Sequence, residues 1–234
     1  MKYDVKYYTY NLNKFNFENL VCNLFNVSNL SNIHTLLDGN NDNKLFTNED
    51  DDRTKLHSIF YNKLNTNWPE FMDMYRQFIK DVIMDVYSVD EIIYQAKPTF
   101  RIQLPNNIAV GGNVDDLPER YGWHKDSDSE YNHPITEKNF ILPLTNSTDT
   151  ASVYIETFPN SDVFKPAVMN IGEVIGFCGA ECVHGNKPNV TGKSRVSFDF
   201  RVMLKEDYNI SYSKNSKLSN KKFIIGEYYE KMSR

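Results

Sequence analysis

The chain has 234 residues, 40% of them hydrophobic and 14% aromatic, a content that supports a buried core and excludes a disordered polymer. Its formal net charge is −5, with 26 basic and 31 acidic residues interspersed, which excludes a broad nucleic-acid- or membrane-binding face but leaves room for a local basic pocket. Three unevenly spaced cysteines (Cys22, Cys178, Cys182) do not read as a disulfide framework, and neither a leader-like apolar run nor a bilayer-length one stands out, so a cytoplasmic protein is expected.

Residues 1–90 read as mainly helical. Phe17, Leu20, Val21, Leu24 and Phe25 share one helical face, as do Ile33, Leu36 and Leu37. "TNEDDDR" places acidic residues at the start of a third helix, where the helix dipole favours them. The next helix takes Asn67 as N-cap and Pro69 in its first turn, with a core stripe of Phe71, Tyr75, Phe78, Ile79, Val82, Ile83 and Val86.

From Glu91 the pattern changes to short strands, "IIYQAKPTFRIQLP", "NFILPL", "ASVYIETF", "EVIGFC" and "SRVSFDFRVML", separated by Gly, Pro, Asn and Asp. Strands in series without intervening helices suggest an antiparallel sandwich or barrel. The organisation expected is one domain over 1–234: helical support at 1–90, a β core at 91–204 and an extension at 205–234, whose four-lysine stretch "YSKNSKLSNKKF" reads as a solvated tail or loop.

"SRVSFDFRV" is the most informative strand. A period of two puts Arg195, Ser197, Asp199 and Arg201 on one face and Val196, Phe198, Phe200 and Val202 on the other. The apolar face suits packing on the helices. The polar face is either solvent-exposed or the anion-binding lining of a barrel interior.

"HKDSDSEYNHP" holds the candidate metal ligands. In an extended segment His124 and Asp126 leave the same face, and His184 offers a third donor; two histidines and a carboxylate suit a facial Fe(II) site with open positions. Alone, H-x-D is unspecific, because a polar loop produces the same spacing. Arg195, eleven positions after His184, can fork a carboxylate, and Ser197 on the same strand face can add a hydrogen bond. Asp128 rivals Asp126 as a ligand or serves as a substrate contact. His133 precedes Pro134 and reads as structural or substrate-facing. Arg101 and Gln103 point the same way from one strand and, with Glu137, Asn139 and Asn186, are weak substrate-contact candidates. Trp123 either shields the metal or fills core. Cys178 and Cys182 beside His184 raise a zinc alternative that lacks a second ligand pair.

His124-x-Asp126, the distal His184 and Arg195-x-Ser197 resemble the Fe(II)/2-oxoglutarate-dependent oxygenases. Across residues 95–204, "PTFRIQLPNNIAVG", "YNHP", "NFILPLT" and "GEVIGFCGAECVHGNKPNVTGKSRVSFDFRV" are similar to the StrG-type branch, named from streptomycin biosynthesis; the segment Gly112–Trp123 is longer than that pattern. The resemblance implies an α+β architecture, a double-stranded β-helix (jelly-roll or cupin-like barrel) with the amino-terminal helices packed on one sheet. It implies Fe(II) on His124, Asp126 and His184, and 2-oxoglutarate anchored through its distal carboxylate by Arg195 and Ser197. It implies consumption of O2, release of succinate and CO2, and hydroxylation or another C–H oxidation of a small polar biosynthetic metabolite, such as a sugar, amino-sugar or amino-acid-like molecule. The presence of Asp126 disfavours halogenation. Two alternatives stand beside it: a nucleobase demethylase, prompted by the Arg195-x5-Arg201 spacing but opposed by the acidic charge, and a non-catalytic or isomerase cupin-like metal protein, which needs no Arg195–Ser197 clamp.

Overall fold

The alternation of "SRVSFDFRV" becomes the centre of an antiparallel sheet. In a computed structural model, residues 2–37, 54–109, 120, 122–212, 214–217 and 220–234 are described. The larger sheet runs in the order β1 (Lys6–Thr9), β7 (Glu173–Phe177), β4 (Lys138–Pro143), β9 (Arg195–Leu204), β2 (Glu91–Gln95), β10 (Tyr229–Ser233), and β3 (Thr99–Gln103) also pairs with β9. The smaller sheet runs β6 (Phe164–Ala167), β5 (Val153–Glu156), β8 (His184–Asn186). All of these pairings are antiparallel, giving an α+β architecture.

As the alternation requires, Val196, Phe198, Phe200 and Val202 face the amino-terminal helices and are buried with Phe17, Phe60, Phe71 and Phe78. Edge-on contacts of Phe71 with Phe198 (ring centroids 5.2 Å apart) and of Phe78 with Phe200 (6.3 Å) fix that layer on the sheet. On the other side Ile141, Ile175 and Phe177 of the large sheet meet Val153, Ile155 and Ala167 of the small one, with Cys178 and Cys182 in the same apolar layer. Asp199 and Arg201 therefore open toward the space between the sheets, not to bulk solvent.

The helical layer follows the periodicity, with local differences. Helix α1 (Phe17–Phe25) is capped by the Asn16 side chain, which accepts from the Asn19 amide. The stretch holding Ile33 and Leu36 is a 3-10 turn, Leu30–Leu36. The acidic run "TNEDDDR" lies outside the described residues; α2 (Lys55–Thr66) follows it, capped by Thr54 in a reciprocal box with His57. Asn67 is not the N-cap expected for α3 (Pro69–Phe78). Trp68 precedes that helix without a side-chain bond, and the Asn67 amide instead donates to Lys63 O and closes α2, because only two residues separate the helices. The stripe continues through a π segment (Ile79–Ile83) into α4 (Met84–Tyr87), with Phe71, Tyr75, Phe78, Ile79 and Ile83 buried.

Four strands carry no readable alternation: β1 (KYYT), β6 (FKPA), β8 (HGN) and β10 (YEKMS). Only pairing defines them. β1 is an edge strand contributed by the otherwise helical amino-terminal part, and β10 pairs with β2. The lysine-rich stretch is a solvated loop, as expected, with Lys214, Lys217, Lys221 and Lys222 all exposed, but it is anchored at its end. Asn215 bridges Lys222, and Phe223 beyond it is 1% exposed, packed with Tyr228 and Tyr229 on Ile93 and Met203. No helix of the described residues is long and apolar enough to cross a membrane.

Candidate metal centre

His124 and His184 exchange two backbone hydrogen bonds, His124 N to His184 O at 3.0 Å and His184 N to His124 O at 2.9 Å. This single bridge at the edge of β8 joins two residues sixty positions apart. Two residues further, the Asp126 amide donates to Gly179 O (2.9 Å), which turns its carboxylate toward both rings. Asp126 Oδ1 lies 3.5 Å from His124 Nε2 and 3.6 Å from His184 Nε2, and the three donors fall within 4.8 Å of one another. They form a grouping of His, Cys, Asp or Glu side chains, found among the described residues, that can hold an ion.

The partners around this trio select its donor atoms. His124 Nδ1 contacts Gly122 O (2.9 Å) and His184 Nδ1 contacts Cys182 O (3.2 Å). A carbonyl only accepts, so each Nδ1 carries the proton and each Nε2 presents a lone pair toward Asp126. Burial lowers His184 to about 4, with Asp126 pulling against it, so the ring is neutral near pH 7. The His124 ring stacks on Tyr131 at 4.2 Å, and Phe177 meets His184 edge-on at 5.2 Å.

Asp126 is 1% exposed and its second oxygen is fully engaged. Oδ2 accepts from Arg201 Nε (3.0 Å), Arg201 Nη2 (2.8 Å) and Asn139 Nδ2 (2.5 Å). Burial disfavours the charged form, but Arg201 with the His124, His184 and His133 rings holds the carboxyl well below the usual carboxylate range. Oδ1 thus remains anionic and faces the imidazoles.

Arg195 lies in the same cavity as His124 and His184, 2% exposed. Its Nε donates to Gln103 Oε1 (3.3 Å) and its Nη1 to Ser197 Oγ (3.4 Å), and among the described residues no carboxylate lies within ion-pair distance. Burial lowers it to about 10, with Asp199 opposing and Arg101 reinforcing, so it stays a cation at neutral pH. A buried cation with no carboxylate in contact suits an anionic ligand.

The other candidates separate by position. Gln103 spends its amide on the carbonyls of Asn107, Thr150 and Lys187 and its oxygen on Arg195, so it orients the arginine. Arg101 lines the cavity and pairs with Asp199 through Nε at 2.9 Å. Asn139 braces Asp126. Asp128 is exposed and accepts from the Lys125 amide (2.7 Å), closing the turn after the ligand pair. Glu137 is buried on His133 (2.8 Å) and Tyr229, behind the site. Asn186 ties to Ser152 O (3.1 Å) and accepts at its carbonyl from the Trp123 indole (3.0 Å). Cys178 and Cys182 are buried and stand outside the donor group, against the zinc alternative. Most of the long segment Gly112–Trp123 lies outside the described residues. The role of Arg201 as the Asp126 partner and the pairing of Asp199 with Arg101 were not legible in the sequence; the strand face they share with Arg195 was the one available signal.

The streptomycin biosynthesis protein StrG of Streptomyces griseus is 32% identical to this chain over 187 residues, covering 80% of this chain and 81% of that protein. No family model matches. Among solved structures, HygX from Streptomyces hygroscopicus with nickel and 2-oxoglutarate bound aligns at 13% identity and a TM-score of 0.39, covering 63% of this chain and 76% of that one. A Pseudomonas putida prolyl-4-hydroxylase aligns at 10% identity and a TM-score of 0.40, covering 87% and 94%.

Proposed function

This chain belongs to the StrG family, and we propose that it is a non-haem Fe(II)- and 2-oxoglutarate-dependent oxygenase, built on a double-stranded β-helix, that oxidises a C–H bond of a small polar molecule and releases succinate and CO2. One observation carries the reading: a cavity that joins a two-histidine, one-carboxylate donor set to a buried arginine with no carboxylate partner among the described residues. The donor chemistry fits a ferrous ion, since both Nε2 lone pairs and the anionic Asp126 Oδ1 converge. His124, Asp126 and His184 would hold the ion, which would supply the oxidising chemistry together with 2-oxoglutarate and O2.

The chain's own residues do the rest. Arg195, steadied by Gln103, would clamp the distal carboxylate, with the Ser197 hydroxyl beside it. Arg201 and Asn139 hold Asp126 so that one oxygen stays directed at the metal position. Ile141, Val153 and Phe177 wall the cavity with apolar surface and limit water around the reacting atoms. The test is anaerobic addition of Fe(II) and 2-oxoglutarate. A visible metal-to-ligand charge-transfer band is expected. A folded, metal-loaded protein that shows no band would sink the proposal.

A further inference from the structure

Asp199 lies on the inward face of β9, between Arg195 and Arg201, and lines the same cavity. Its Oδ2 accepts from Arg101 Nε at 2.9 Å. Its Oδ1 is buried and has no hydrogen-bond partner among the described residues. A buried carboxylate oxygen left unpaired costs about 1–3 kcal/mol or more, so such an atom at a cavity wall marks a position that a ligand completes. Arg101 already balances the charge of Asp199; what Oδ1 lacks is a donor, not a counter-ion. The other charged groups of this floor have separate tasks, Arg201 on Asp126 and Arg195 free for an anion. The three pairs of strand positions from Arg195 to Arg201 extend over roughly 20 Å of strand, with Asp199 about 7 Å from Arg201, so a ligand on Asp199 sits nearer the metal donors than the carboxylate anchor.

We propose that Asp199, oriented by Arg101, is the specificity-determining residue of this cavity, and that its free oxygen accepts a hydrogen bond from a neutral hydroxyl of the oxidised molecule, which makes the substrate class a hydroxyl-bearing compound. The inference rests on the oxygenase reading and adds the substrate's recognition group to it. A ligand whose only donors are charged amines gains less, because it would approach Asp199 beside the Arg101 cation.

The experiment measures succinate release and the anaerobic charge-transfer band with four probes: myo-inositol and D-glucose as neutral polyols, D-glucosamine as an amino-polyol, and L-lysine as an amine without hydroxyls. Stimulation by the hydroxylated probes and not by lysine is expected. Asp199→Asn should raise the apparent KM of the stimulating probe roughly 10- to 100-fold, the loss of one charge-assisted hydrogen bond, while the band and its 2-oxoglutarate titration persist. Asp199→Glu, which keeps the carboxylate but displaces it, should fall between the two. If the wild-type protein forms no band, the oxygenase reading itself fails. If the band forms but lysine stimulates as well as the polyols, if no polyol stimulates, or if Asp199→Asn leaves the KM unchanged or removes the band together with activity, the assignment of Asp199 is overturned and the oxygenase reading stands.

Discussion

Arg201→Met should destabilise the metal-free protein more than any change at an exposed arginine. Arg201 Nη2 and Asp126 Oδ2 are 2.8 Å apart, with Nε adding a second bond at 3.0 Å, and the two side chains are 8% and 1% exposed. At an effective dielectric constant of about 20 that separation corresponds to roughly 6 kcal/mol of attraction. Burying both charges takes much of this back, but methionine leaves Oδ2 of the desolvated Asp126 with only the Asn139 amide as a donor, and stranding one half of a buried pair costs about 3–5 kcal/mol. For a chain of this size that is a fall in Tm of roughly 6–20 °C. Differential scanning fluorimetry on metal-free samples measures it. The same variant should bind Ni(II), a redox-inert probe, about 10- to 100-fold more weakly, because Asp126 loses the contact that aims Oδ1. A Tm within about 2 °C of wild type, with unchanged Ni(II) affinity, would refute the claim that Arg201 holds the ligand carboxylate.

Arg195→Ala should weaken 2-oxoglutarate at least about 100-fold, the loss of a buried charge-assisted contact, and leave Fe(II) affinity nearly intact; titrating the band against 2-oxoglutarate separates the two, and equal losses would reassign the residue to scaffolding. His124→Ala should abolish the band while the protein stays folded by circular dichroism. Gly185→Ala should disturb the ligand bridge, since an added Cβ would lie 2.2 Å from the Trp123 ring; a cost of about 1–3 kcal/mol and a shifted tryptophan emission are expected, and an unchanged spectrum would show that the indole moves freely. His184 is held at about 4 in the folded chain, below its ordinary value of 6.5. A folded-state pKa depressed in this way contributes stability above pH 6.5 that is lost as the pH falls toward 4, about 3 kcal/mol in all. Urea midpoints of the metal-free protein should therefore decline across that window, and His184→Gln should flatten the decline.

The residue types gathered at the site and the layering around it were legible in the residues alone. The period-two pattern of "SRVSFDFRV" is a property of the strand, so which of its residues face helices and which face the cavity followed without coordinates. The same holds for the core stripe of the long helix. His124, Asp126, His184 and Arg195 were nameable because their types and spacing match a donor set and an anion clamp. The rest depends on atoms distant in the chain. The bridge that sets His124 beside His184 forms at a three-residue strand with no pattern of its own. Which oxygen of Asp126 faces the imidazoles depends on Arg201 and Asn139, 75 and 13 positions away. Gln103 became a brace and Asp199 an unfilled acceptor because three backbone carbonyls and one guanidinium happen to reach them. Periodicity fixes the face a side chain leaves from; the partner it meets there is a matter of long-range packing.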